Sequence, residues 1–224
     1  MEPGLSAVMF DAVIFDLDGT LADTLEDIAD AMNGVLRGRG FPVHGYNAYR
    51  LMIGKGLGNL VRETLPPEAR TEATVAACLD QMTADYREHC LDKTHLYDGI
   101  AELVGGLRVD GVGLAVLSNK ADELTQRIVD ALFAPGTFEV VAGARPDLPL
   151  KPDPAAAQLV GERLGVPPAR IAYVGDSGID MRTATAAGMV AVGVSWGFRT
   201  RDELLAAGAH VVLDHPLELL PAGR

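Results

Sequence analysis

The chain has 224 residues, is 48% hydrophobic and 22% charged, and carries a formal net charge of −12 with a pI near 4.7. That length accommodates one good core, or a core with a small accessory domain. The acidic balance repels nucleic acid and anionic membranes, and no apolar run approaches the ~20 residues needed to span a bilayer.

Residues 1–16 contain no basic region, and Asp11 interrupts their apolar stretch, so a secretory leader is not expected and the cytoplasm is the default compartment. Continuous apolar, β-branched-rich runs then recur at 12–15, 112–117, 138–141, 171–174, 190–194 and 210–213. Runs without alternation suit strands covered on both faces. Helical patterns follow at 121–132, 154–164 and 180–187, and strand–helix alternation of this kind predicts an α/β domain with a mostly parallel sheet.

One interval departs from this rhythm. Between Asp23 and Leu96 there is no convincing strand, only helical patterns at 23–37, 57–65 and 67–90, separated by Gly38, Gly40 and Pro66-Pro67. The reading is a helical domain of residues 23–96 inserted into an α/β core of residues 1–22 and 97–224. Cys78 and Cys90 fall in one helical stretch, roughly 18 Å apart along its axis, too far for a disulfide. They read as reduced packing residues.

Four stations follow four strands. The first is Asp16-Leu17-Asp18-Gly19-Thr20, where two carboxylates two residues apart repel one another and call for a hard cation such as Mg²⁺. It does not continue as a calcium loop, since Asp27 stands where that loop needs Glu. The second is Ser118-Asn119-Lys120, whose hydroxyl and amides suit phosphate oxygens or, more simply, a helix cap. The third is Lys151-Pro152-Asp153-Pro154, where two prolines stiffen the approach of a lysine to a helix start. The fourth is Asp176-Ser177-Gly178-Ile179-Asp180, bracketing a turn into a helix. Ligands of open α/β sheets bind outside the carboxyl ends of the strands. Carboxylates for a cation, with lysine and serine for an anion, fit phosphoryl transfer.

These four segments resemble motifs I to IV of the haloacid dehalogenase superfamily, from Phe10 to about Leu219, and the insertion resembles its α-helical cap. Within the superfamily the chain is most similar to phosphoglycolate phosphatases, through residues 18–24, 118–120, 186–189 and 194–198. The resemblance implies a Rossmannoid core and a magnesium-dependent phosphatase acting on a small phosphorylated metabolite. It also implies roles: Asp16 as nucleophile, Asp18 as acid and base, and Mg²⁺ held by Asp16, the Asp18 carbonyl and Asp176. Ser118 and the Asn119 amide would bind the phosphoryl group beside Gly19 and Thr20. Lys151 would stabilise its charge, with Asp180 orienting that lysine or a metal-bound water. Asp18 disfavours the superfamily's halide chemistry. Phosphosugar mutase, nucleotidase and pyrophosphatase readings stay open, as does oligomeric state, a homodimer included.

The glycine-rich stretch Ile53-Gly54-Lys55-Gly56-Leu57-Gly58 lacks the ending of a nucleotide-binding loop. It reads as an interhelical turn, or as a loop closing over the site with Lys55 on an anionic group of the substrate. A rival from another class is the Gly193-Val194-Ser195-Trp196-Gly197 match to a serine-hydrolase elbow, with Asp214 and His215 downstream. Only 29 residues follow Ser195, and an adjacent acid and histidine cannot face each other as triad members. A non-catalytic binding role is the third class, opposed by the intact Asp16, Asp18, Lys151 and Asp176. His44, His89, His95, His210 and His215 show no zinc-ligand spacing.

Overall fold

The computed structural model describes residues 10–221. The expectation about a leader falls mostly on residues 1–9, outside the described ones. A six-stranded sheet runs in the order β5-β4-β1-β6-β7-β8, and every pairing in it is parallel. Its strands are β1 (Ala12–Phe15), β4 (Gly113–Ala121), β5 (Val140–Ala144), β6 (Ile171–Gly175), β7 (Val190–Val194) and β8 (Val211–Leu213). β1 is central and wholly buried. Successive side chains of a strand point to opposite faces. Accordingly Val13 and Phe15 enter one apolar cluster, and Ala12 and Ile14 the other. The continuous apolar runs in the sequence follow from this two-sided burial.

Helices cover both faces: α5 (Ile100–Val109), α6 (Asp122–Leu132), α7 (Ala155–Leu164), α8 (Gly178–Ala186) and α9 (Arg201–Ala206). Local signals set their ends. α7 stops at Gly165, whose φ of 69° is left-handed, and Thr200 caps α9 by accepting from the Glu203 N–H at 3.3 Å. α5 and α9 were not singled out in the sequence.

The insertion is helical: α1 (Leu25–Gly38), α2 (Tyr46–Met52), α3 (Leu57–Thr64) and α4 (Glu72–His89). α1 buries Ile28, Ala29, Met32 and Leu36, one face at helical spacing. The structure corrects the expectation of no strand in this interval. β2 (Ala22–Asp23) and β3 (His95–Leu96) form a two-stranded antiparallel ribbon where the chain leaves the sheet and returns. Strands of two residues are too short for a periodic signal, and partners as far apart in the chain as Ala22 and Leu96 meet only through the fold. Asp27 secures the return crossing: its carboxylate accepts from the N–H groups of Lys93 and Thr94 and from the Thr94 hydroxyl. α2 was also missed, being only seven residues long. Cys78 and Cys90 are both buried free thiols. No helix among the described residues is long and apolar enough to cross a membrane.

Candidate active site

Each station sits at the carboxyl end of a sheet strand. Asp16 follows β1 directly, and its main-chain N–H donates to Val174 O of β6 at 2.9 Å. Its Oδ1 accepts from Leu17 N at 2.7 Å and meets Lys151 Nζ at 2.9 Å. Oδ2 receives no hydrogen bond among the described residues.

Lys151 is nearly sealed, with its side chain 2% exposed. Its ammonium also reaches Asp180 Oδ1 at 2.7 Å and Leu117 O at 3.1 Å. Burial alone works against its charge, but Asp16 and Asp180 outweigh that and hold it protonated well above the ordinary lysine range. Asp180 is fixed from behind. Its Oδ2 accepts from the Ser177 N–H at 3.1 Å and the Ser177 hydroxyl at 2.6 Å, closing a capping box at the start of α8. The capping role read for this segment and the Lys151-orienting role are therefore served by one carboxylate.

Asp16, Asp176 and Asp180 bring carboxylate oxygens within 4.8 Å of one another, all buried. Desolvation, opposed by Lys151 and assisted by Asp180 and Asp18, pushes Asp16 up to about 7. Desolvation followed by the charges of Asp180 and Asp16 drives Asp176 well above the usual carboxylate range. Such a set is stable ionised only with a cation among it, and all-oxygen donors select a hard one. The local backbone makes room: a Cβ on Gly19, which has φ +83°, or on Gly197 would collide with Asp176. The Phe198 N–H donates to Asp176 Oδ2 at 2.7 Å.

The remaining expected residues divide. Ser118, Asn119 and Lys120 share a cleft with Asp16, Asp18, Gly54 and Gly56. The strand β4 continues through them to Ala121, past the expected end at Leu117, with its register slipping after Leu117. The Asn119 carboxamide is committed to structure, joining Lys151 N and O to Gly54 O at 2.9–3.0 Å. Gly19 and Thr20, expected to bind substrate, are not among the residues that line this cleft. Gly19 abuts Asp176, and Thr20 is fully buried, with its carbonyl accepting from Trp196 Nε1 at 3.0 Å. The glycine-rich loop does face the cleft through Gly54 and Gly56, but Lys55 points elsewhere, with Nζ 3.6 Å from Glu63 Oε1. An exposed lysine takes the nearest carboxylate, and the sequence does not tell which that is. The Asp18 side chain is outside the acidic cluster; its Oδ1 takes the Thr24 hydroxyl at 2.6 Å and Lys120 Nζ at 2.9 Å. Ser195 donates to Asp214 Oδ1 at 2.6 Å, while His215 Nδ1 accepts from the Leu217 N–H, so no imidazole stands at that hydroxyl to activate it.

Lys120 and the loop 196–199 also join the site, neither of them an expected site residue. Lys120 adjoined Ser118 at a strand end, a usable signal. The loop carried only its resemblance.

A family model described as haloacid dehalogenase-like hydrolase matches residues 13–194. The phosphoglycolate phosphatase of Pseudomonas putida is 32% identical over 93% of this chain and 78% of its own length. IndB of Dickeya dadantii, named as a phosphatase, is 35% identical over 95% and 93%. A crystal structure of a proposed phosphoglycolate phosphatase from Lactobacillus delbrueckii subsp. bulgaricus superposes with a TM-score of 0.88 at 33% identity, covering 95% of this chain and 99% of that one. The chain belongs to the haloacid dehalogenase-like hydrolase family, and within it to the phosphatases.

Proposed function

We propose that the chain hydrolyses a small phosphomonoester, with phosphoglycolate the leading substrate, through a covalent phosphoryl group on Asp16. The observation that carries this reading is the buried Asp16–Lys151–Asp180 chain beside Asp176, a nucleophile and a cation held together at the carboxyl end of the parallel sheet.

Asp16 forms a bond to phosphorus as the bond from phosphorus to the ester oxygen breaks. Asp18 gives its proton to that departing oxygen. Water then yields a proton to Asp18 and bonds to phosphorus, which releases inorganic phosphate and restores the Asp16 carboxylate. Lys151 and the Ser118 hydroxyl, with the Asn119 main-chain N–H, meet the charge on the phosphoryl oxygens. Asp16, Asp176 and the Asp18 carbonyl would hold Mg²⁺, and Asp180 keeps Lys151 in place. Bound there, the ion screens the repulsion between carboxylate and phosphate.

The organic part of the substrate is small, because Ile28, Ile53, Leu57 and Leu60 close the cleft from the insertion. The named phosphoglycolate phosphatases among the relatives point the same way. A CbbY structure from Rhodobacter sphaeroides, 27% identical with a TM-score of 0.79, was solved with phosphate.

A panel of phosphorylated metabolites tests the reading. Phosphate release should require Mg²⁺, stop with EDTA, and fall by about 10⁴-fold or more in Asp16→Asn. Substantial Mg²⁺-dependent turnover by Asp16→Asn would remove Asp16 as nucleophile.

A further inference from the structure

Lys120 is a buried charge that the mechanism above leaves unused. Its side chain is 2% exposed, yet it lines the cleft beside Asp16, Asp18 and Ser118. Its ammonium meets Asp18 Oδ1 at 2.9 Å and donates to the Tyr86 hydroxyl at 2.7 Å. The same nitrogen lies 4.6 Å from the centroid of the Tyr86 ring. A cation this deep is costly unless it is fully partnered, and here both partners are specific.

Two features of this arrangement go together. First, Lys120 and the Thr24 hydroxyl converge on one oxygen of Asp18, and Oδ2 receives no hydrogen bond among the described residues. Two donors on Oδ1 fix the rotation of the carboxylate, so Oδ2 is the oxygen left for proton exchange. Second, Tyr86 stands on α4 of the insertion, whereas Asp18 and Lys120 belong to the ends of β1 and β4. The route Tyr86–Lys120–Asp18 therefore runs from the insertion to the acid–base group.

Resting on the phosphatase reading, we propose that Lys120 is a positioning residue for Asp18. With Thr24 it clamps Oδ1 and presents Oδ2 to the departing oxygen, and Tyr86 makes that clamp depend on how α4 is seated.

The clamp matters most when the leaving oxygen needs a proton. An alkyl ester expels a basic alkoxide and depends on Asp18, whereas p-nitrophenyl phosphate expels a stabilised phenolate and does not. The experiment compares Lys120→Met, Lys120→Arg and Tyr86→Phe with the parent on 2-phosphoglycolate and p-nitrophenyl phosphate. It follows phosphoryl transfer to Asp16 in a single turnover by rapid quench and mass spectrometry.

Lys120→Met should slow transfer from phosphoglycolate by about 100-fold or more, with KM changed by less than about 3-fold. The first-turnover release of nitrophenolate should fall by less than about 5-fold. Tyr86→Phe should show the same asymmetry at about 5- to 10-fold, and Lys120→Arg should recover part of the loss on the alkyl ester only. Should Lys120→Met fail to fold, Tyr86→Phe, which removes one hydroxyl, carries the comparison. Equal slowing on both esters, or a change confined to KM, would overturn the clamp while leaving the phosphatase reading intact. A parent protein that transfers no phosphoryl group from either ester with Mg²⁺ would overturn both.

Discussion

At the scale of single residues, the site is defined by carboxylates that the fold has made hard to ionise. Asp16 keeps its proton to about 7 in the metal-free protein, against 3.8 for an ordinary aspartate, chiefly because burial disfavours its charge. The folded state therefore prefers the protonated form. That preference adds stability which is full below 3.8 and is lost as the pH rises through about 7. Asp176 acts in the same direction. The metal-free protein should thus melt at a higher temperature at pH 5.5 than at pH 8, and Mg²⁺ should raise the midpoint far more at pH 8. Asp176→Asn should raise the metal-free midpoint at pH 8 by about 2–4 °C and abolish the Mg²⁺ response. Scanning fluorimetry reads both effects; a midpoint indifferent to pH and metal would contradict the account. The residues behind it were legible as types at strand ends, since carboxylates after apolar runs stand out. Their partners were not: nothing in Ser118-Asn119-Lys120 says that Asn119 is spent on Lys151 while Lys120 turns to Asp18.

At the scale of elements, the loop 196–199 joins three parts of the protein. Trp196 holds the Thr20 carbonyl, Phe198 holds Asp176, and Arg199 donates to the Arg50, Leu51 and Ile53 carbonyls at the end of α2. Arg50 returns the contact, donating to Gly197 O at 2.6 Å with its guanidinium 5.9 Å from the Phe198 ring centroid. Terminal carbonyls of a helix lack intrahelical donors, so a guanidinium fork suits them. Arg199→Ala should cost about 1–3 kcal/mol locally. Amide hydrogen exchange should then quicken across Tyr46–Met52 while β1 and β6 stay protected. Unchanged exchange in α2 would show that other contacts seat it. Most sheet strands and the long helices were readable from periodicity. α2, the ribbon of β2 and β3, and the extension of β4 were not, because each is short or is imposed by neighbours.

At the scale of the whole molecule, charge works against the proposed substrate. Net charge is −12, and with its carboxylates ionised the site sets Asp16, Asp18, Asp176 and Asp180 against Lys120 and Lys151. Screening this field should help an incoming phosphate dianion, since the Debye length falls to about 10 Å at 0.1 M salt. At saturating Mg²⁺, kcat/KM for a dianionic ester should rise about 2- to 5-fold from 10 to 150 mM salt. A steep fall would mean that local positive potential dominates the approach.

The sequence by itself determined the α/β class, the helical insertion and the four chemical stations. Each of these is local: burial on two faces writes a continuous apolar run, and a reactive group must follow the strand that presents it. Tertiary structure alone decided which charges pair. Lys151 goes to Asp16 and Asp180, Lys120 to Asp18 and Tyr86, and Lys55 outward to Glu63. Pairing is set by distance and desolvation across elements brought together by packing, and neither quantity is written in the order of residues.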